Sequence, residues 1–167
     1  MLTAKENFLE TIRGGKPDRF VNQYEALCFI SHPYSIRSRL DLKPGDHDIP
    51  NSWGVLQSFP ENSPTPVPEH TPDKVLIKDI EEWEDYVKKP SLKFSDEEWA
   101  ACREAYEAVD NTKVFRTAAV TPGLFEHSHH MCSMEEALVN YIANPDEMHG
   151  LINYITDWEL ELAEGIC

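Results

Sequence analysis

Basic residues are scarce in this chain: 15 Lys and Arg stand against 30 Asp and Glu, a formal net charge of −15 over 167 residues. That acid excess repels phosphate backbones and anionic lipid surfaces, which argues against nucleic-acid and membrane-surface binding. No apolar run approaches the roughly 20 residues that a spanning helix needs. The opening Met1-Leu2-Thr3-Ala4-Lys5-Glu6 turns polar at once and shows no apolar region of a signal peptide. Cysteine is thin as well. Cys28, Cys102, Cys132 and Cys167 are widely spaced and form no CxxC pair, so neither a disulfide framework nor a zinc ribbon is expected, and the chain reads as cytoplasmic. Repeats of solenoid length are missing too. What remains is 41% hydrophobic and 27% charged, an ordinary globular composition with the length of one domain, residues 1–167.

The strongest local signal is a capping box, a short polar residue with Glu three positions on, at five helix starts: Thr3, Asp79, Ser95, Ser133 and Asn144. Gly14-Gly15 ends the first helix. The others carry apolar stripes at helical spacing, such as Trp99, Cys102 and Tyr106, or Met148, Leu151, Ile152, Ile155 and Leu162. Two segments, Phe20–Ile30 and Val114–Val120, read as buried strands, parallel and covered by helices. Between them lies an excursion, about 44–74, that holds Pro60, Pro64, Pro66, Pro68 and Pro72, too many for helix or central strand. Trp53, Val55 and Phe59 lead into it, so it is expected to be ordered. Strand, excursion, strand and helix pair is the opening of an α/β barrel or doubly wound sheet.

Several segments resemble a known family. Asn51-Ser52-Trp53-Gly54-Val55, Val75-Leu76-Ile77-Lys78-Asp79-Ile80-Glu81-Glu82-Trp83 and Thr121-Pro122-Gly123-Leu124-Phe125-Glu126 are similar to segments of the uroporphyrinogen decarboxylase superfamily. Ser133-Met134-Glu135-Glu136-Ala137-Leu138 and Pro145-Asp146-Glu147-Met148-His149 follow in the same order. The likeness runs from Thr3 to Cys167 and is nearest to the decarboxylase-like branch related to corrinoid-dependent methyltransferases. It implies an α/β fold, the helix-rich N-terminal portion of a (β/α)8 TIM barrel, incomplete on its own. It also implies action on a tetrapyrrole or a corrinoid-linked small molecule, by decarboxylation (a lyase) or by methyl transfer. The decarboxylases need no cofactor, and the methyltransferase branch implies a corrinoid or zinc. A non-catalytic binding or assembly module derived from the family is the alternative. Two strands with open edges, and apolar stripes such as Leu151, Ile155 and Leu162 over a partial sheet, predict a homo-oligomer or a second chain that supplies the remaining strands.

Barrel sites lie at the C-terminal ends of the strands. There the first strand and its loop present Tyr24, Glu25, His32 and Tyr34 as candidates. Glu25 stands out, because a carboxylate in an apolar segment is costly unless it is paired, with Arg19 or Arg116, or left at a functional mouth. Arg37 and Arg39 suit a clamp for a carboxylate or phosphate, and a solvated face is the plainer reading. The resemblance implies Asp48, in His47-Asp48-Ile49, as the counterpart of the family's key aspartate. It places Asn51 where many relatives carry Asp, and Pro122 and Phe125 in a loop that faces substrate. Glu126-His127-Ser128-His129-His130-Met131-Cys132 is the densest group of potential ligands, with His127, His129 and Cys132 able to take zinc. Three histidines this close cannot all point one way. The preferred reading therefore has no metal: one or two of them meet substrate, another packs under the next helix, and His127 or His130 moves a proton near neutral pH.

Overall fold

The computed structural model describes all residues from Met1 to Cys167. In chain order it contains α1 (Ala4–Ile12), β1 (Leu27–Phe29), α2 (Pro33–Arg37), β2 (Ile49–Pro50), β3 (Leu56–Ser58) and β4 (Val67–Pro68). A 3-10 turn (Ile80–Glu82) then leads into α3 (Trp83–Tyr86), α4 (Asp96–Ala108), β5 (Phe115–Thr117), α5 (Leu124–Cys132), α6 (Met134–Ala143) and α7 (Pro145–Ile166). No helix is long and apolar enough to cross a membrane. The chain forms two compact units, Met1–Arg37 with Lys93–Ala119, and Ser38–Leu92 with Val120–Cys167.

In the first unit, Thr3 and Glu6 cap α1 reciprocally, and Ser95 and Glu98 do the same for α4. Gly14, at φ +66°, takes the left-handed turn that ends α1, a conformation open to glycine at little cost. Fully buried Asn7 then holds the returning chain: its Oδ1 accepts from the N–H groups of Asp18 (2.9 Å) and Arg19 (3.3 Å). Strands β1 and β5 pair in parallel, with Leu27 opposite Phe115 and Phe29 opposite Thr117. Phe8 of α1 packs edge-on against Phe115.

The second unit is built on helices. Its sheet is antiparallel in the order β2-β3-β4, so Pro50 and Pro68 both fall on edge strands, where a missing N–H costs least. Asn51 Oδ1 accepts from the N–H groups of Trp53 (2.9 Å) and Val55 (3.0 Å), and Gly54 between them sits at φ +86°. This turn delivers Trp53 and Val55 to the core, at 5% and 2% exposure. Helix α7 buries Met148, Leu151, Ile155, Trp158 and Leu162 along one face, packed on α3, α5 and α6. Ser133 joins α5 to α6 at φ 81°, and its side chain caps α6 by accepting from Glu136 N–H.

This arrangement overturns the barrel expectation. Helix makes up 45% of the chain and strand 8%, in two separate sheets of two and three strands, and no portion of a (β/α)8 TIM barrel is present. The physical causes are local. The segment Phe20–Ile30 pairs only at Leu27–Phe29, because Glu25 N–H donates to Asn22 O and Asn22 N–H donates to the Glu25 carboxylate. That turn pulls the chain out of the extended form and leaves Phe20 and Tyr24 exposed. The apolar stripe of α7 is likewise not left over a partial sheet. Leu151, Ile155 and Leu162 are buried by neighbouring helices. Phe125, which the resemblance placed in a loop facing substrate, lies instead in the first turn of α5.

Replacing Leu151, which is completely buried, by Ala should lower unfolding stability by about 2–5 kcal/mol. Leu138→Ala, at a half-exposed position of α6, should change it by less than about 0.5 kcal/mol. Urea denaturation of the two variants beside the parent checks both values. Equal effects would contradict the helical core described here.

Candidate functional site

The candidates of the first unit are mostly held by their own neighbours. Glu25 lies in the turn before β1, and Arg19 grips its carboxylate through both terminal nitrogens. With a third bond from Asn22 N–H, that grip pulls the Glu25 carboxyl down to about 2, so it is ionised across the neutral range and is no general acid. Tyr24 is exposed and rests edge-on against Phe29. His32 is buried at 4% exposure: its Nε2 bonds Ala119 O (3.0 Å), and Nδ1 faces Ser35 N–H (3.4 Å). That pairing stitches the end of β1 to the chain beyond β5, with buried Tyr34 stacked beside the ring. Arg37 donates to Glu98 (2.7 Å) and to Lys93 O, and lies over the Phe94 ring.

In the second unit Arg39 is exposed. Asp48, in the left-handed region at φ 58°, forms an ion pair with Lys74 (2.7 Å). Asn51 has its side-chain oxygen occupied by the Trp53 turn, which gives it a structural task. Pro122 stands just ahead of α5, and Phe125 in its first turn is 40% exposed and stacked on Tyr141.

Helix α5 divides the ligand-rich run between two faces. His127, Ser128, Met131 and Cys132, at four-residue spacing, turn inward. His127 sits against Trp53 (ring centroids 5.1 Å) and near Trp158, with Nε2 3.8 Å from Glu159 Oε1. That separation is too long for a hydrogen bond, and neither atom has another partner. Close opposite charges favour ionisation, but burial without solvating donors outweighs them here. Burial holds the His127 imidazole neutral down to about 4 and raises the Glu159 carboxyl above its ordinary range. Cys132 Sγ donates to Ser128 O, and burial pushes its thiol up to about 11. His127 and Cys132 face the core while His129 lies on the other side of α5, so the three do not form one donor set.

The other face gathers an imidazole and aromatic patch. His129 meets His130 (4.5 Å between centroids), Phe125 (5.2 Å) and His70 (6.0 Å), the last supplied by the segment after β4. His70 Nε2 and His129 Nδ1 are both shielded from solvent and unpartnered. Burial first, and then the nearby imidazoles of His129 and His70, hold His130 neutral down to about 4, and burial also lowers the pKa of His70. As the side chains stand, no three donors converge closely enough to share a metal ion. A separate cleft of about 520 Å³ is lined by Glu81, Glu82, Glu84, Asp85, Asp146 and Glu147, a surface that repels anions.

His70 and Glu159 escaped the sequence reading. Nothing near His70 signals its contact with α5, which depends on the path of the excursion. Glu159 was legible, since it falls on the buried stripe between Ile155 and Leu162, where a carboxylate is out of place.

The His127–Glu159 pair makes stability depend on pH with a defined sign. An unfolded histidine titrates near 6.5 and His127 near 4, so the unfolded chain takes up the proton first as pH falls. The contribution of His127 is complete above about 6.5 and disappears towards 4, a loss of roughly 3 kcal/mol. His127→Gln should flatten that part of the profile. Glu159 acts in the opposite sense: its raised pKa costs stability at neutral pH, so Glu159→Gln should raise the urea midpoint at pH 7. Urea midpoints from pH 4 to 8 in EDTA measure both, and a parent profile that is flat below pH 6.5 would contradict the assignment. No protein-family model, curated protein or solved structure matches the chain.

Proposed function

We propose that this protein is a uroporphyrinogen-decarboxylase-like component that binds a tetrapyrrole or corrinoid-linked small molecule in the cytoplasm, for decarboxylation or methyl transfer. The observation that carries the reading is a coincidence on one segment. Thr121–Glu126, part of the resemblance, runs into α5, and α5 then supplies Phe125, His129 and His130 to the patch completed by His70. Flat ring faces suit a macrocycle, and neutral imidazole is suited to proton transfer near pH 7 or to donation to a metal centre. The substrate roles are therefore best assigned to Phe125, His129 and His130, since Glu25, Asp48 and Arg37 are engaged in ion pairs. All four cysteines are free, which supports a reducing compartment.

Those same internal ion pairs favour a second reading, a binding or assembly module without turnover. Exposed Leu138, Val139 and Ile142 on α6 and the unpaired outer edges of β1 and β5 support association with a second copy or another chain.

Anaerobic calorimetric titration with uroporphyrinogen and absorbance titration with aquocobalamin test the proposal. Saturable binding of one macrocycle per chain is expected, weakened at least tenfold by Phe125→Ala or His130→Ala. Release of CO2, or demethylation of a methylcorrinoid, separates the enzyme from the binding module. If neither macrocycle binds saturably, both tetrapyrrole readings fail.

A further inference from the structure

We propose that His70, His129 and His130 form a binding site for one late first-row divalent metal ion, of the zinc, cobalt or nickel type. The inference goes beyond the macrocycle reading and does not depend on it. It starts from the two ring nitrogens, His70 Nε2 and His129 Nδ1, which are shielded from water and lack any hydrogen-bond partner. A shielded polar atom left unpaired is costly, so an occupant that bonds to both nitrogens is favoured. The third ring, His130, touches His129.

Further features point to a cation as that occupant. His129 and His130 occupy the last turn of α5, where the aligned peptide dipoles give the helix end a partial negative charge. Glu126, one turn before His130, and Glu69, beside His70, make the local field more negative. No arginine or lysine contacts the three rings, so an anionic ligand would find no counter-charge. Imidazole donors favour borderline ions over magnesium or calcium. Binding requires rotation of the rings, since the nitrogens must come to about 2.0–2.1 Å from a shared ion and do not stand there without one.

The test is calorimetric titration of the EDTA-stripped, desalted protein at pH 7.5 with Zn2+, Co2+ and Ni2+, in a non-coordinating buffer. One ion per chain is expected, with the affinity reduced at least tenfold in His70→Ala, His129→Ala and His130→Ala. His47→Ala and His149→Ala, both at exposed positions, should bind like the parent. Circular dichroism reports whether each variant folds. Independently of any variant, Co2+ added to the parent protein should broaden the imidazole NMR signals of His70, His129 and His130 and spare those of His47 and His149. Fewer than one ion per chain, broadening that misses the three rings, or unchanged affinity in folded His129→Ala would overturn the proposal. Because no macrocycle is present, its failure would leave the tetrapyrrole titration unaffected, and the converse also holds.

Discussion

The helical unit depends on the burial of one indole. Trp158, at 1% exposure, lies where four stretches of chain meet. Its own helix α7 supplies the apolar stripe. Trp53, from the excursion, packs edge-on at 5.0 Å, and His127 of α5 approaches from a third direction. Its Nε1–H donates to Pro90 O at 2.9 Å, which fixes the segment that leaves α3. A buried indole needs a partner for its N–H, and here the partner comes from an irregular segment that Val87 and the Lys89–Tyr154 contact also tie to the core. The Asn51 turn, the orientation of α5 and hence the split of its histidines between two faces all follow from filling the space around that ring.

With that frame set, electrostatics sorts the chemically capable residues. The carboxylates and guanidinium that looked most functional, Glu25, Asp48 and Arg37, find opposite charges nearby and become part of the scaffold. Surface pairs of this kind contribute little to stability, but they do settle side-chain direction. The imidazoles of α5 are sorted by burial instead. His127 is kept neutral by the core, and His130 on the other face by burial and by the nearby imidazoles.

Helix starts were the most legible part of the sequence, because a Thr or Ser with Glu three residues on satisfies backbone N–H groups whatever the tertiary context. Thr3–Glu6 and Ser95–Glu98 make both bonds of the box. Asn144 has no side-chain cap, and α7 relies on Pro145 and on burial. Strand content was overestimated, because apolar composition in Phe20–Ile30 concealed the Asn22–Glu25 turn. Helix α5 was hidden by its own chemistry: a run of histidines drew attention away from the four-residue spacing of His127 and Met131. The barrel expectation came from the strand–excursion–strand–helix order and from the motif resemblance, neither of which determines which strands pair in this chain. The His70 contact needed a tertiary path that no local pattern encodes.

The prolines of the excursion have a bearing on how the molecule behaves in company. Each edge strand of the three-stranded sheet is only two residues long and contains one proline, Pro50 or Pro68, so neither rim offers a continuous row of backbone donors. That sheet is sterile: a foreign strand has almost nothing to hold. The β1–β5 pair contains no proline in Leu27–Phe29 or Phe115–Thr117, so no position of its two strands lacks a backbone N–H. Backbone-mediated growth, productive or pathological, is thereby channelled to one sheet of the two, and the excursion is free to vary its side chains without seeding aggregation.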